Sequence, residues 1–189
     1  MSERKPIVFT FLGVPGSGKS YFARRLAQET GMLRLSSDAM RLAIFGSRDA
    51  IAKVYHSDDR ENVNAYVDRA SVYVMGEILA RGEDVIYDAH YNRSSGRDWL
   101  TQRLSEHDAK VVLIRIITPY NIALQRGQDR EETNDQRRLS ESEMREVMDR
   151  HNANTDEPGA DELVIDIDGT VTFEEQDKSF RTQIEDFDE

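Results

Sequence analysis

Gly13, four residues, then Gly18, Lys19 and Ser20 follow an apolar run and open a helical pattern. Glycines let a backbone curl until successive N–H groups face one point, where phosphate oxygens bind. The helix N-terminus adds its positive end. In such a pattern the lysine ammonium reaches the outer phosphates and the serine hydroxyl ligates Mg²⁺. Gly13, Pro15, Gly16, Ser17, Gly18, Lys19, Ser20 and the adjoining Tyr21 therefore form the candidate nucleotide-binding set. A dinucleotide fingerprint has another glycine spacing and no Lys-Ser ending. The loop alone leaves open whether the phosphate is transferred, lost to water or held as a signal.

Further residues bear on that choice. Asp38 and Arg41 stand three apart at a helix start, which puts both on one face. A carboxylate there can take the proton of an acceptor hydroxyl, and a guanidinium can grip an anionic acceptor. Asp88 closes the run Val85-Ile86-Tyr87 and is placed to hold the hydration shell of Mg²⁺, making it a metal and substrate-site candidate with Ser20. Arg126 and Arg130, four apart, lead into a polar segment, with Arg137 and Arg138 beyond. Arginines over a phosphate site neutralise charge that develops during transfer. The four histidines show no metal-ligand spacing; His90, two residues past Asp88, is the one placed to touch an acceptor. VIDIDGTV, residues 164–171, has the two aspartates of a phosphatase nucleophile loop, but only 21 residues follow Asp168, so it reads as a closing strand and turn.

These residues need a scaffold, and the pattern supplies one. Apolar runs alternate with helical periodicity, which predicts an α/β domain with a mostly parallel sheet. Strands are expected at 7–12, 33–35, 84–87, 111–117 and 163–167. Helices are expected at 19–28, 38–45, 59–80, 96–106, from Thr118-Pro119 onward, and at 140–151 behind a Ser140/Glu143 capping box. Residues 47–58 read as a polar loop. Val63, Val67, Ala70, Val74 and Ile78 form the expected buried stripe of the long helix. Trp99, Leu100 and Leu104 read as core, and Tyr66, Tyr73 and Met75 as packing rather than a base-stacking row.

The 189 residues suit one domain with a real core. The absence of cysteine excludes thiolate chemistry and disulfides, and no apolar run is long enough to span a bilayer, so a cytoplasmic protein without a membrane partner is expected. The net charge of −11 is localised: residues 1–150 carry 23 basic and 23 acidic residues, residues 151–189 carry 2 against 13. A neutral main body argues against a broad nucleic-acid stripe. Residues 1–173 are expected as the kinase-like domain and 174–189 as an acidic, weakly patterned tail with at most one loose helix.

GVPGSGKS, SSDAMR, VIYDAHYNRSSGR and LQRGQDR, in that order and spacing, resemble the P-loop kinase family that includes phage polynucleotide kinase and small bacterial kinases. The resemblance spans residues 7–168. It implies a parallel five-stranded sheet sandwiched by helices, with a small helical lid near 126–140. It implies that Lys19 and Ser20 bind ATP and Mg²⁺, that Asp38 is the general base, that Arg41 serves the acceptor, and that Arg126 and Arg130 are lid arginines. Where the family's third motif often continues into Thr and Asn, this chain has His90 and Tyr91, in the region that shapes the acceptor pocket. Three readings follow: a kinase for a small-molecule hydroxyl, a polynucleotide 5′-hydroxyl kinase, and a nucleotide-binding regulator or slow NTPase.

Overall fold

A computed structural model of the chain describes residues 4–55, 57, 60–129 and 140–187. Its elements are β1 (Ile7–Leu12), α1 (Lys19–Thr30), β2 (Leu33–Ser36), α2 (Ser37–Phe45), α3 (Arg48–Tyr55), α4 (Arg60–Leu79), β3 (Val85–His90), α5 (Ser94–Leu104), β4 (Lys110–Ile117), α6 (Tyr120–Asp129), α7 (Glu141–Ala153), β5 (Leu163–Asp168) and α8 (Phe173–Ile184). The five strands are all parallel, in the order β2-β3-β1-β4-β5. Every residue of β1 is buried, as a central parallel strand covered on both faces requires.

Alternation along β1 sends side chains into two cores. Phe9 and Phe11 join Phe22 and Ala23 of α1 and Phe173 and Phe180 of α8 on one face. Val8 joins Met75 and Leu79 of α4 and Leu100 and Leu104 of α5 on the other. The buried stripe of α4 is Val63, Val67, Ser71, Met75 and Leu79, so the expected stripe holds only in the first turns. Spacing of four carries it on, and Ser71 is admitted because its hydroxyl donates to the Val67 carbonyl at 2.8 Å. Tyr66 and Tyr73 are exposed rather than packed.

Residues 48–55 are helical where a polar loop is expected; the alternation of apolar and charged residues in RDAIAKVY forms a short amphipathic turn set. β3 runs two residues past Asp88 because β1 continues to pair with it, Phe11 opposite His90. Residues 174–187 are not a tail. Thr172 and Glu175 form a capping box that starts α8, and Phe180 meets Phe9 and Phe22 with ring centroids 5.4 and 5.9 Å apart. Part of the acidic surplus is also consumed: buried Arg97 holds Glu162, with Nε–Oε1 at 2.6 Å, and Arg115 holds Asp166 at 2.7 Å. Among the described residues no helix is long and apolar enough to cross a membrane.

Candidate active site

β1 delivers its chain to the centre of the sheet's carboxyl edge, between β3 and β4, where ligands bind in open parallel sheets. The loop from Gly13 to Gly18 sits there, and Gly18 caps α1 with a φ of 107°. Gly16, with a φ of 84°, must be glycine for a second reason: an added Cβ would lie 2.1 Å from the Ala123 carbonyl oxygen of α6. The loop is thus pressed against α6 and takes its shape from both sides. Pro15 is half-buried within it, Ser17 is fully buried, and Tyr21 points outward, 49% exposed.

Lys19 Nζ donates to the Gly13 and Val14 carbonyls at 2.6 and 2.9 Å, which folds the ammonium over the loop. Ser20 Oγ donates to Asp88 Oδ1 at 3.1 Å. That pairing brings the two expected metal-site residues together. Asp88 is buried, and its other oxygen accepts from Arg34 Nε at 2.9 Å and from the same guanidinium's NH2. Arg34 was not among the sequence candidates. The parallel register of β2 beside β3, with Ser36 opposite Asp88, brings it within reach. The donor set fits a Mg²⁺–nucleotide: a serine hydroxyl, a carboxylate beside it, an ammonium over the loop, and a buried Ser17 hydroxyl with no hydrogen-bond partner among the described residues.

Ser36 caps α2, accepting from Ala39 N at 3.3 Å. Asp38 is therefore not spent on capping; its carboxylate is 63% exposed and held by Arg41 NH1 at 3.1 Å. Arg41 NH2 donates to Asn64 Oδ1 of α4 at 3.2 Å. Arg126 NH1 donates to the Gly169 carbonyl at 2.7 Å and lies 4.0 Å from where a Cβ of Gly18 would stand, so this arginine belongs to the loop's immediate surroundings. Arg130, Arg137 and Arg138, with most of the expected lid, fall outside the described residues. Asp168 is tied into a turn by Thr170, whose N–H and hydroxyl donate at 2.7 and 2.6 Å; a turn, not a nucleophile loop, ends β5.

Sequence reasoning also missed His151. Buried on α7, it faces His90 with ring centroids 6.1 Å apart, and its Nε2 makes no hydrogen bond among the described residues. Only the packing of α7 beneath the loop unites histidines 61 residues apart. His151 is held neutral, its pKa lowered to about 4 by burial, then by the Lys19 ammonium and by His90. His90 is likewise lowered to about 4, by desolvation in the cleft and by Lys19 and Arg41. His90 is an exposed residue, and the Lys19 and Arg41 cations disfavour its charged form.

A family described as "AAA domain" matches residues 8–154. No curated protein matches the chain. Among solved structures, an unliganded sugar kinase from a Janibacter species superposes with a TM-score of 0.70 at 20% identity, covering 96% of this chain and 95% of that one. A gluconokinase from Sinorhizobium meliloti superposes with a TM-score of 0.65 at 18% identity, covering 98% and 95%. The chain belongs to the AAA domain family, and its fold is that of the P-loop kinases.

Proposed function

We propose that this protein is an ATP- and Mg²⁺-dependent phosphotransferase that moves the γ-phosphate of ATP to a hydroxyl of a small-molecule acceptor. The observation that carries the reading is the Asp38–Arg41 pair: an exposed carboxylate, not spent on capping and held by a guanidinium, at the carboxyl end of β2 in a sheet whose central strand carries a complete phosphate loop. A nucleotide switch has no use for such a pair. The solved structures of similar fold named as a sugar kinase and a gluconokinase support a small acceptor over a polynucleotide end.

In this reading the loop N–H groups and Lys19 hold the phosphates in place. Ser20 would ligate Mg²⁺ and Asp88 would steady its water shell; the ion supplies neutralisation of the phosphate oxygens. Asp38 accepts the acceptor's hydroxyl proton as that oxygen bonds to the γ-phosphorus and the bond to the β,γ-bridging oxygen breaks, leaving ADP. Arg126 stands where it can offset charge on the transferring group. His90 and His151 are held neutral near pH 7, so neither adds positive charge to the site.

The test is transfer of label from γ-³²P-ATP to sugars, sugar acids, nucleosides and 5′-hydroxyl oligonucleotides, with Asp38→Asn alongside. Transfer to a small acceptor, reduced roughly 10²–10⁴-fold in Asp38→Asn with ATP affinity retained, is expected. Label on oligonucleotides alone, or ADP release with no labelled acceptor across the panel, would replace this reading with one of the other two.

A further inference from the structure

The phosphate loop accounts for one side of the site. On the far side of the Asp38–Arg41 pair, α4, α5 and the loop after β3 enclose a cleft of about 600 Å³, a volume in the range of small-molecule sites. Asn64 and Asp68 line it from α4, Tyr91 from the end of β3, and Trp99 from α5, with Arg69 and Arg103 at its rim. One guanidinium joins the cleft to the proposed base: Arg41 contacts Asp38 and Asn64 at once.

The cleft's construction is specific. The Tyr91 hydroxyl is buried and lies near that of Tyr87, which already donates to Asp68, so its hydrogen bonding is incomplete until a ligand or water completes it. Its ring lies against α5 at Gly96, where an added Cβ would come 3.0 Å from Tyr91 Cδ1. Asp68 accepts from Tyr87 Oη at 3.3 Å through Oδ1, and burial raises its pKa against the opposing effects of Arg41 and Tyr87. Arg69 and Arg103 have no carboxylate partner among the described residues; Arg69 donates to the Ala65 carbonyl, and Arg103 lies over Trp99 at 5.9 Å.

From this lining we infer that the α4/α5 cleft is the acceptor pocket, and that it takes a polyhydroxylated small molecule bearing an anionic group. The inference rests on the phosphotransferase reading. Asn64, Asp68 and the Tyr91 hydroxyl offer both donors and acceptors, the set that hydroxyls of a sugar-like molecule satisfy in pairs. Two rim arginines against one carboxylate leave the cleft positive, which selects a carboxylate or phosphate on the ligand. A nucleic-acid end is disfavoured, because Trp99 packs partly into the core with Arg103 over its ring and presents no open stacking platform.

Trp99 is the chain's single tryptophan, so its emission reports the cleft directly and without ATP. The full chain is titrated with gluconate, glucose 6-phosphate and sorbitol, in parallel with Tyr91→Phe, Arg69→Gln and Arg103→Gln. A saturable emission change with gluconate or glucose 6-phosphate, and none with neutral sorbitol, is expected; which of the two anions responds separates carboxylate from phosphate recognition. Each substitution is expected to raise Kd roughly tenfold. The proposal is overturned if neither anion gives a saturable change, if the substitutions leave Kd alone, or if a 5′-hydroxyl oligonucleotide alone produces the response. The two readings fail separately. Saturable binding with no phosphoryl transfer removes the phosphotransferase and keeps the pocket; transfer untouched by Tyr91→Phe and Arg103→Gln removes the pocket and keeps the phosphotransferase.

Discussion

The proposed nucleotide half of the site and the proposed acceptor half are built by different means. The first is eight consecutive residues, Gly13 to Ser20, between a strand and a helix, with Asp88 one strand away. The second draws Asp38 and Arg41 from α2, Asn64 and Asp68 from α4, Tyr91 from the end of β3 and Trp99 from α5. Backbone N–H groups need only a local curl to bind phosphate, so contiguous sequence suffices. A pocket for an irregular acceptor needs side chains converging from several directions, and only packing arranges that. The contrast teaches that the phosphate loop is a local property of the chain and the proposed acceptor cleft a tertiary one.

The largest break expected between the halves comes from Lys19→Met. It should lower transfer roughly 10²–10³-fold, a loss of charge stabilisation, while leaving the Trp99 titration unchanged. Loss of both would mean that the halves are not independent. Phe180→Ala asks what supports the nucleotide half. Phe180 is 4% exposed and meets Phe22 on the helix that carries Lys19. Its truncation should cost ~3–5 kcal/mol in urea unfolding; an unchanged midpoint would restore the reading of residues 174–189 as a dispensable tail.

Arg34→Met sharpens the role of Asp88. The carboxylate loses its guanidinium while buried, so stability should fall by ~1–3 kcal/mol. Added Mg²⁺ should restore part of that loss, measured as Tm, because the ion then neutralises Asp88; no restoration would count against Asp88 facing the metal. The smallest effect expected is a change of slope with pH. His151 has a folded pKa near 4 and an ordinary unfolded value, so the unfolded chain binds more protons between them. Stability should therefore be lost as pH falls from about 6.5 through 4, and His151→Gln should flatten Tm against pH across that window. An unaltered slope would show that His151 is not held neutral beside Lys19 and His90.

Much of the frame was readable before the structure. Four of the five strands lie within a residue of expectation, and β3 runs three residues further, because continuous apolar runs flanked by glycine and polar turns have few alternatives. The Ser140/Glu143 capping box formed as read. α8 was misjudged because its acidic composition masks Phe173, Gln176 and Phe180, three buried positions spaced for one helix face. Arg34 and His151 gave no signal, since neither lies in a motif and their partners are 54 and 61 residues away.

By itself the sequence determined the phosphate loop, the strand-and-helix alternation and the Asp38–Arg41 face, each of which depends on residues within a few positions of one another. Tertiary structure alone decided that Arg34 holds Asp88, that two neutral histidines meet beside Lys19, and that a positively rimmed cleft opens next to Arg41. The reason is physical. Local geometry is dictated by dihedral preference and periodicity, whereas the meeting of side chains far apart in the chain depends on how strands register and helices pack, and many sequences with the same local pattern pack different residues together.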